Sequence, residues 1–372
     1  MNGIARADVA IAGGGIIGLS LGLELRHRGL SVLVIDRQQA MSSASWAAGG
    51  MLAVHDPQNP AELMPLATKS WELYPAYLER VEALSGKKVP LRTRRAMQFV
   101  AGDHWAENAS RSGVGAQVTS AEMAEFAPAL EPNGHIFEWL DEGSLDPNDL
   151  HDALPAAFVA AGGTLLEETE MLSVENVTGG VLVKTTRKMI SAGMFVNCCG
   201  ARAGEVERGL PVVPVKGQMA NLRCKPERLR CVVRAPGIYL LPRGDGRVTI
   251  GATIEHVGFD ETVQETSIRR MAEAALSLLP EAEAPVQMDM WAGLRPGTPD
   301  GLPILGPAAM ANCWHATGHY RDGILLGPVT GRVMAQVMLG EAPEVPLAAY
   351  AATRFLSEEN CCKVGALAGI GR

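Results

Sequence analysis

The first forty residues hold glycines whose spacing suits a ligand that carries phosphates. Gly13-Gly14-Gly15-Ile16-Ile17-Gly18 follows the apolar run from Val9 to Ala12, and an acid, Asp36, closes a second apolar run from Ser31 to Ile35. In that order Gly13 permits a tight turn, Gly15 lets a pyrophosphate approach the backbone, and Gly18 lets helix and strand pack closely. The helix that follows aims its free N–H groups at the phosphates. Asp36, about 20 residues downstream, is placed to accept a hydrogen bond from a ribose hydroxyl. The chemistry these residues permit is dinucleotide binding.

They need a βαβ unit to hold them, and the sequence supplies one: a strand from Asp8, a helix from Ile16 to Arg28 stopped by Gly29, and a strand to Ile35. A loop from Arg37 to Ala53, with the small-residue run SSASWAAGGML, suits a segment lying flat against a large ligand. A helix is expected from Leu63 to Leu84, with Leu66, Ser70, Leu73, Tyr77 and Val81 at helical spacing. Strand-like pieces lie at 94–100 and 134–140, and a helix runs through 150–161. Strands at 164–166, 170–176, 181–185 and 194–197 suit the later part of a doubly wound domain, with Gly200 as another close backbone approach to a cofactor.

From Val212 the pattern becomes antiparallel, with strands at 218–223, 238–241 and 248–253, a helix at 266–279 and a strand near 287–291. A strand at 315–318, a loop at 320–327 and a helix opened by Pro328 and closed by Gly340 return to the nucleotide fold. The expected class is α/β: a Rossmann-like dinucleotide-binding domain with an inserted α+β substrate domain built on an antiparallel sheet. The expected boundaries are 1–88, 142–210 and 296–360 for the first domain, 89–141 and 211–295 for the second, and 361–372 as a tail.

A chain of 372 residues with 47% hydrophobic and 20% charged residues is ordinary for a globular enzyme of two or three domains. Its net charge of −8 argues against nucleic-acid binding and offers no basic footprint for an anionic membrane. The start of the chain lacks a basic segment before an apolar core, and the stretch from Val9 to Leu25 is broken by glycines and Glu24, so a cytoplasmic protein is expected. The seven cysteines lack CxxC spacing; the neighbours Cys198-Cys199 and Cys361-Cys362 read as reduced structural thiols, and no metal site is predicted. A single dinucleotide fingerprint favours FAD with a small organic reductant and a separate electron acceptor, while NAD remains open as the occupant.

Five segments carry a resemblance, in order from Val9 to about Gly340: GGGIIG, SSASWAAGGML, YLLPRGDGRVTIGAT (239–253), WAGLRPGTPDGLPILGP (291–307) and ATGHYRDGILLGPVTG (316–331). The chain resembles the D-amino-acid oxidase family of FAD-dependent oxidoreductases, in particular its glycine oxidase branch linked to thiamine biosynthesis. The resemblance implies bound FAD, oxidation of glycine or another small amino acid or amine to its imine, and reoxidation by oxygen to give hydrogen peroxide. It implies Ile16 and Ile17 under the pyrophosphate and Asp36 with Arg37 at the adenosine. It also implies Ala44, Ser45, Gly49, Gly50 and Met51 beside the isoalloxazine, and Met171 at the adenine. His319, Tyr320, Arg321, Asp322, Gly323, Ile324 and Leu325 would wrap the flavin ring, and Arg295 and Arg321 would hold the substrate carboxylate, with Tyr239 and Met51 also at the substrate. Relatives of this kind often form homo-oligomers.

Residue chemistry agrees. A guanidinium matches a planar carboxylate with paired, charge-assisted hydrogen bonds; Arg295 reads as part of a Gly- and Pro-rich turn and Arg321 as part of a glycine-bracketed loop. No general base is nominated, because the amine proton can leave to water; His55 and His319 read as structural or flavin-contacting. No cysteine or histidine announces a covalent flavin link, so non-covalent FAD is expected. Two positions depart from the family pattern: Asp322, where relatives commonly carry Asn, puts a carboxylate beside Arg321, and Gly237 leaves the substrate pocket without a shaping side chain. A dehydrogenase of the same fold acting on a D-amino acid or sarcosine, or a non-catalytic flavoprotein, are the alternative readings.

Overall fold

The computed structural model describes residues 4–100, 115–286 and 289–356. Five of its α-helices exceed ten residues: α1 (Ile16–His27), α2 (Met64–Ser85), α3 (Pro147–Ala160), α4 (Glu265–Leu278) and α5 (Gly323–Met338). The expected tail, with Cys361 and Cys362, and residues 287–288 of the expected strand lie outside the described residues. Among the described residues no helix is long and apolar enough to cross a membrane.

The first sheet orders its strands Ile304–Pro307, Cys313–Thr317, Met189–Asn197, Ala5–Ala12, Val32–Ile35 and Thr164–Leu166, with Met171–Val177 and Gly180–Thr185 attached to one side. Strands Cys313–Thr317, Met189–Asn197, Ala5–Ala12 and Val32–Ile35 run parallel, as crossover connections through helices require. Helix α1 is buried from Ile16 to Leu25, which explains why its apolar residues fall on more than one face. Its contact with α5 depends on small residues. A Cβ on Gly331 would come within 2.8 Å of the Ser20 carbonyl oxygen, and one on Gly327 within 3.0 Å of Ile16.

Helix α5 starts at Gly323, five residues before the expected opening, so Pro328 sits inside it. Proline removes the N–H that would bond the Ile324 carbonyl. Tyr74 of α2 donates its hydroxyl to that carbonyl instead, and Ser70 bridges the next pair by donating to the Leu325 carbonyl and accepting from Val329 N–H. The helical spacing of α2 thus also serves to repair α5. Tyr74→Phe is expected to destabilise the protein by about 1–3 kcal/mol in urea unfolding, the cost of an orphaned buried carbonyl. Pro328→Ala, which restores the N–H, should recover most of that loss in the Tyr74→Phe background and little in the wild type.

The second sheet runs Met290–Gly297, Val213–Arg223, Arg247–Gly251, Ile238–Pro242, Val232–Ala235, Ala96–Val100 and Ile136–Leu140. It is mixed, not purely antiparallel, because Val232–Ala235 pairs parallel with Ala96–Val100. Helix α4 buries Ile268, Met271, Ala272, Ala275 and Leu278 against it. Strand Met290–Gly297 corrects the turn expected around Arg295: it pairs in unbroken register from Val213↔Gly297 to Ala220↔Met290. Pro296 is tolerated because the strand is an edge and its partner position, Pro214, also lacks an N–H.

Candidate active site

The carboxyl ends of four of the five parallel strands open onto one cavity of about 550 Å³, reached by Ala12, Ile35, Cys198 and Thr317. Cavities in doubly wound sheets form there. Gly13 adopts φ +105°, and a Cβ on it would stand 2.2 Å from the Cys198 carbonyl oxygen, while a Cβ on Gly18 would stand 1.9 Å from the Gly13 oxygen. Gly15 is different: a Cβ there would meet only the Ser45 hydroxyl, at 3.2 Å. Its missing side chain leaves room in the cavity, as a pyrophosphate requires.

Ser45 Oγ accepts from Ile16 N–H at 3.0 Å, which places Ser45 at the N-terminus of α1. Asp36 accepts from Gly14 N–H (2.7 Å) and Gln38 N–H (2.9 Å), and burial raises its pKa against those bonds. Its oxygens retain lone pairs for a ribose hydroxyl. Ile16, Ile17, Arg37, Ala44, Gly49, Gly50, Met51, Met171 and Gly200 also line the cavity. Gly50, at φ +79°, lies so close to Leu145 that a Cβ would meet the Leu145 carbonyl oxygen at 2.3 Å.

The second sheet supplies the opposite wall. Tyr239 and Arg295 lie flat across strand glycines, since a Cβ on Gly251 would strike the Tyr239 hydroxyl at 2.2 Å and one on Gly217 would strike Arg295 Nη1 at 2.2 Å. These interior strand glycines are the signal that sequence reading missed; a glycine there marks a close approach. Arg295 Nη1 donates to the Thr253 carbonyl at 3.1 Å, and among the described residues Arg295 has no carboxylate partner. Burial lowers its pKa and raises that of Tyr239, yet a guanidinium keeps its charge and the phenol keeps its proton at neutral pH. The positive fields of Arg295, Arg243 and Arg321 reach the Tyr239 hydroxyl, so these groups converge.

Side chains fasten the walls together. Arg243, itself buried, donates to the Gly49 carbonyl, the Leu145 carbonyl and Thr249 Oγ1 at 2.8, 2.8 and 2.9 Å. Trp291 Nε1 donates to the Ala47 carbonyl at 3.1 Å. Tyr320, held in the left-handed region at φ +46°, donates its N–H to the Pro296 carbonyl at 3.0 Å, joining the 319–325 segment to the strand that carries Arg295.

Arg321 lines the cavity but arrives paired. Its Nη2 meets Asp56 Oδ2 at 2.8 Å and its Nη1 donates to Gln58 Oε1 at 2.5 Å. Asp322, the carboxylate next to it in the sequence, is buried and accepts from Asn59 Nδ2 at 3.2 Å. Asp56 was missed because it stands in a Pro- and Asn-rich turn, HDPQNP, with no motif of its own. Gly237 does not line the cavity; it is exposed in a turn, with open space where a Cβ would sit. His319 lines the cavity, lies 3.0 Å from Thr330 Oγ1, and is kept neutral by burial, which drives its pKa to about 3. His55 lies outside the cavity lining, its N–H donated to Glu142.

Burial pushes the Asp322 carboxyl up to about 7. A raised carboxyl pKa contributes stability that is full below the unfolded value near 3.8 and is lost as pH rises through about 7. Asp322→Asn is therefore expected to raise thermal stability at pH 8.5 by on the order of 2–4 kcal/mol, with the gain vanishing by about pH 4. Differential scanning calorimetry at the two pH values reads the difference.

A glycine-lined helix N-terminus, a carboxylate at the end of the second strand and a cationic wall facing them across one cavity have the form of a dinucleotide-binding oxidoreductase. Comparison with known proteins makes the class particular. The chain belongs to the DAO family, FAD dependent oxidoreductases, whose model matches residues 8–337. It is 32% identical over 359 residues to a glycine oxidase of Pseudomonas putida, covering 92% of this chain and 98% of the relative. It is 33% identical to a bifunctional protein ThiO/ThiG of Synechocystis, of which it spans 55%. The crystal structure of glycine oxidase from Geobacillus kaustophilus superposes with a TM-score of 0.87 at 31% identity, over 94% of this chain and 99% of that one.

Proposed function

We propose that this protein oxidises glycine or another small amino acid or amine to the imine, with oxygen as electron acceptor and hydrogen peroxide as co-product, in support of the thiazole moiety of thiamine. The observation that carries the reading is Arg295, uncompensated by any carboxylate among the described residues, facing the cavity beside the Tyr239 phenol. FAD, bound without a covalent link, supplies the two-electron acceptor.

The chain supplies orientation. Gly15 and the α1 N-terminus would hold the pyrophosphate, Asp36 the ribose, and the 319–325 segment the ring, where the positive end of α5 would favour negative charge on reduction. Arg295 donates paired hydrogen bonds to the substrate carboxylate and Tyr239 donates another, fixing Cα against the ring. No side chain is asked to act as a base. His319, neutral and tied to Thr330, is a wall residue, and the ammonium proton leaves to water. Residues 1–88, 142–210 and 296–360 form the cofactor part in this reading, and 89–141 with 211–295 the substrate part.

Oxygen uptake by the flavin-loaded protein with glycine, sarcosine and D-alanine tests the reading, with peroxide formed in equal amount. Silence with all three would reject the substrate class.

A further inference from the structure

We propose that Asp56 sets the substrate class of this site: by occupying Arg321 it leaves Arg295, of the two guanidiniums beside Tyr239 that line the cavity, open to a substrate carboxylate, so that amines bearing a second anionic group are refused. The inference rests on the substrate reading given above and deepens it. Arg295 and Arg321 are close enough for the charge of one to lower the pKa of the other, and both line the cavity with Tyr239. Left alone, such a pair would form a double-cation pocket suited to a dicarboxylate. Asp56 prevents that. Its side chain is only 8% exposed, and its Oδ2 stands 2.8 Å from Arg321 Nη2, while Gln58 takes Nη1. Among the described residues the fixed charges at this end therefore amount to one uncompensated cation, Arg295, and one neutralised pair.

A distal carboxylate reaching toward Arg321 would also meet repulsion. The charge of Asp56 lies beside Arg321, whereas burial raises the pKa of the Asp322 carboxyl on the same wall, so the repulsion is that of Asp56. Refusing a ligand by confronting it with like charge is a general route to specificity, since the rejected partner gains no compensating bond. The other polar groups here do not alter the balance: Tyr239 is a phenol, His319 is neutral, and Gln58 and Asn59 carry no charge.

The test uses the flavin-loaded protein and two probes, acetate and malonate, titrated against the absorbance of the oxidised flavin. The wild type is expected to bind acetate in preference to malonate. Asp56→Asn, which keeps an acceptor for Arg321 but removes the charge, should raise the affinity for malonate relative to acetate by about 10- to 100-fold, as an added charge-assisted contact would. The double variant Asp56→Asn with Arg321→Met should lose that gain. Anaerobic flavin reduction by iminodiacetate relative to glycine should shift in the same direction. Asp56→Ser serves equally if Asp56→Asn fails to retain flavin. A malonate-to-acetate ratio unchanged in either Asp56 variant, or a gain that survives loss of Arg321, would overturn the proposal while leaving the glycine reading intact. A wild-type spectrum unmoved by acetate, with no reduction by glycine, would overturn both.

Discussion

Arg295→Met is expected to lower kcat/KM for a small amino acid by about 10²- to 10³-fold, toward the lower end of the roughly 3–5 kcal/mol lost when one partner of a buried ionic contact is removed. Among the described residues nothing nearby replaces it. Tyr239 offers a single neutral donor, and Arg321 is committed to Asp56 and Gln58. Because the carboxylate is held before and during the reaction alike, most of the loss should fall on KM, with a smaller share on kcat from looser placement of Cα. Arg295→Lys should recover only part of it, since an ammonium supplies charge without the planar fork. Gly217→Ala should reproduce the defect without touching the arginine, because its Cβ would lie 2.2 Å from Nη1 and force the guanidinium aside. Steady-state oxygen uptake across substrate concentration separates KM from kcat for all three variants.

Two fingerprint glycines should fail in opposite ways. Gly18→Ala brings a methyl to 1.9 Å from a backbone oxygen, which cannot yield as a flexible side chain would, so the apoprotein itself should lose about 1–3 kcal/mol or more of stability. Gly15→Ala meets only Ser45 Oγ, and its backbone, at φ −74° and ψ −178°, suits any residue. That apoprotein should melt within about 1 °C of wild type, a shift of under about 1 kcal/mol. Its methyl would nevertheless occupy the space required by the pyrophosphate, so its affinity for FAD should fall by about 10²-fold or more. Flavin titration of the two apoproteins, beside their melting curves, distinguishes a glycine kept for packing from one kept for a ligand.

Local features carried most of what the sequence revealed. The βαβ unit was legible because strand, turn, helix and acid are contiguous, and α2 and α4 because their apolar spacing repeats over several turns. What depended on distant partners was not legible. Pro328 read as a helix start because nothing near it shows that Tyr74 and Ser70, some 250 residues earlier, satisfy the carbonyls it strands. WAGLRPG read as a turn because glycine and proline usually break strands, whereas here the pairing strand Val213–Arg223 holds it extended. The cationic pocket followed from its two arginines, but its net charge did not. That required Asp56, brought to Arg321 from 265 residues away. The carboxylate that was visible beside Arg321, Asp322, turned instead to Asn59.

Anaerobic addition of glycine, sarcosine or D-alanine to the flavin-loaded protein tests most directly whether Arg295 holds a small amino acid against the ring. The account predicts that the visible absorbance of the oxidised flavin bleaches with at least one of them in the wild type, and that Arg295→Met needs about 10²-fold more substrate to bleach at the same rate. A wild-type chromophore left unbleached by all three, or an Arg295→Met variant reduced as readily as wild type at low substrate, would contradict it.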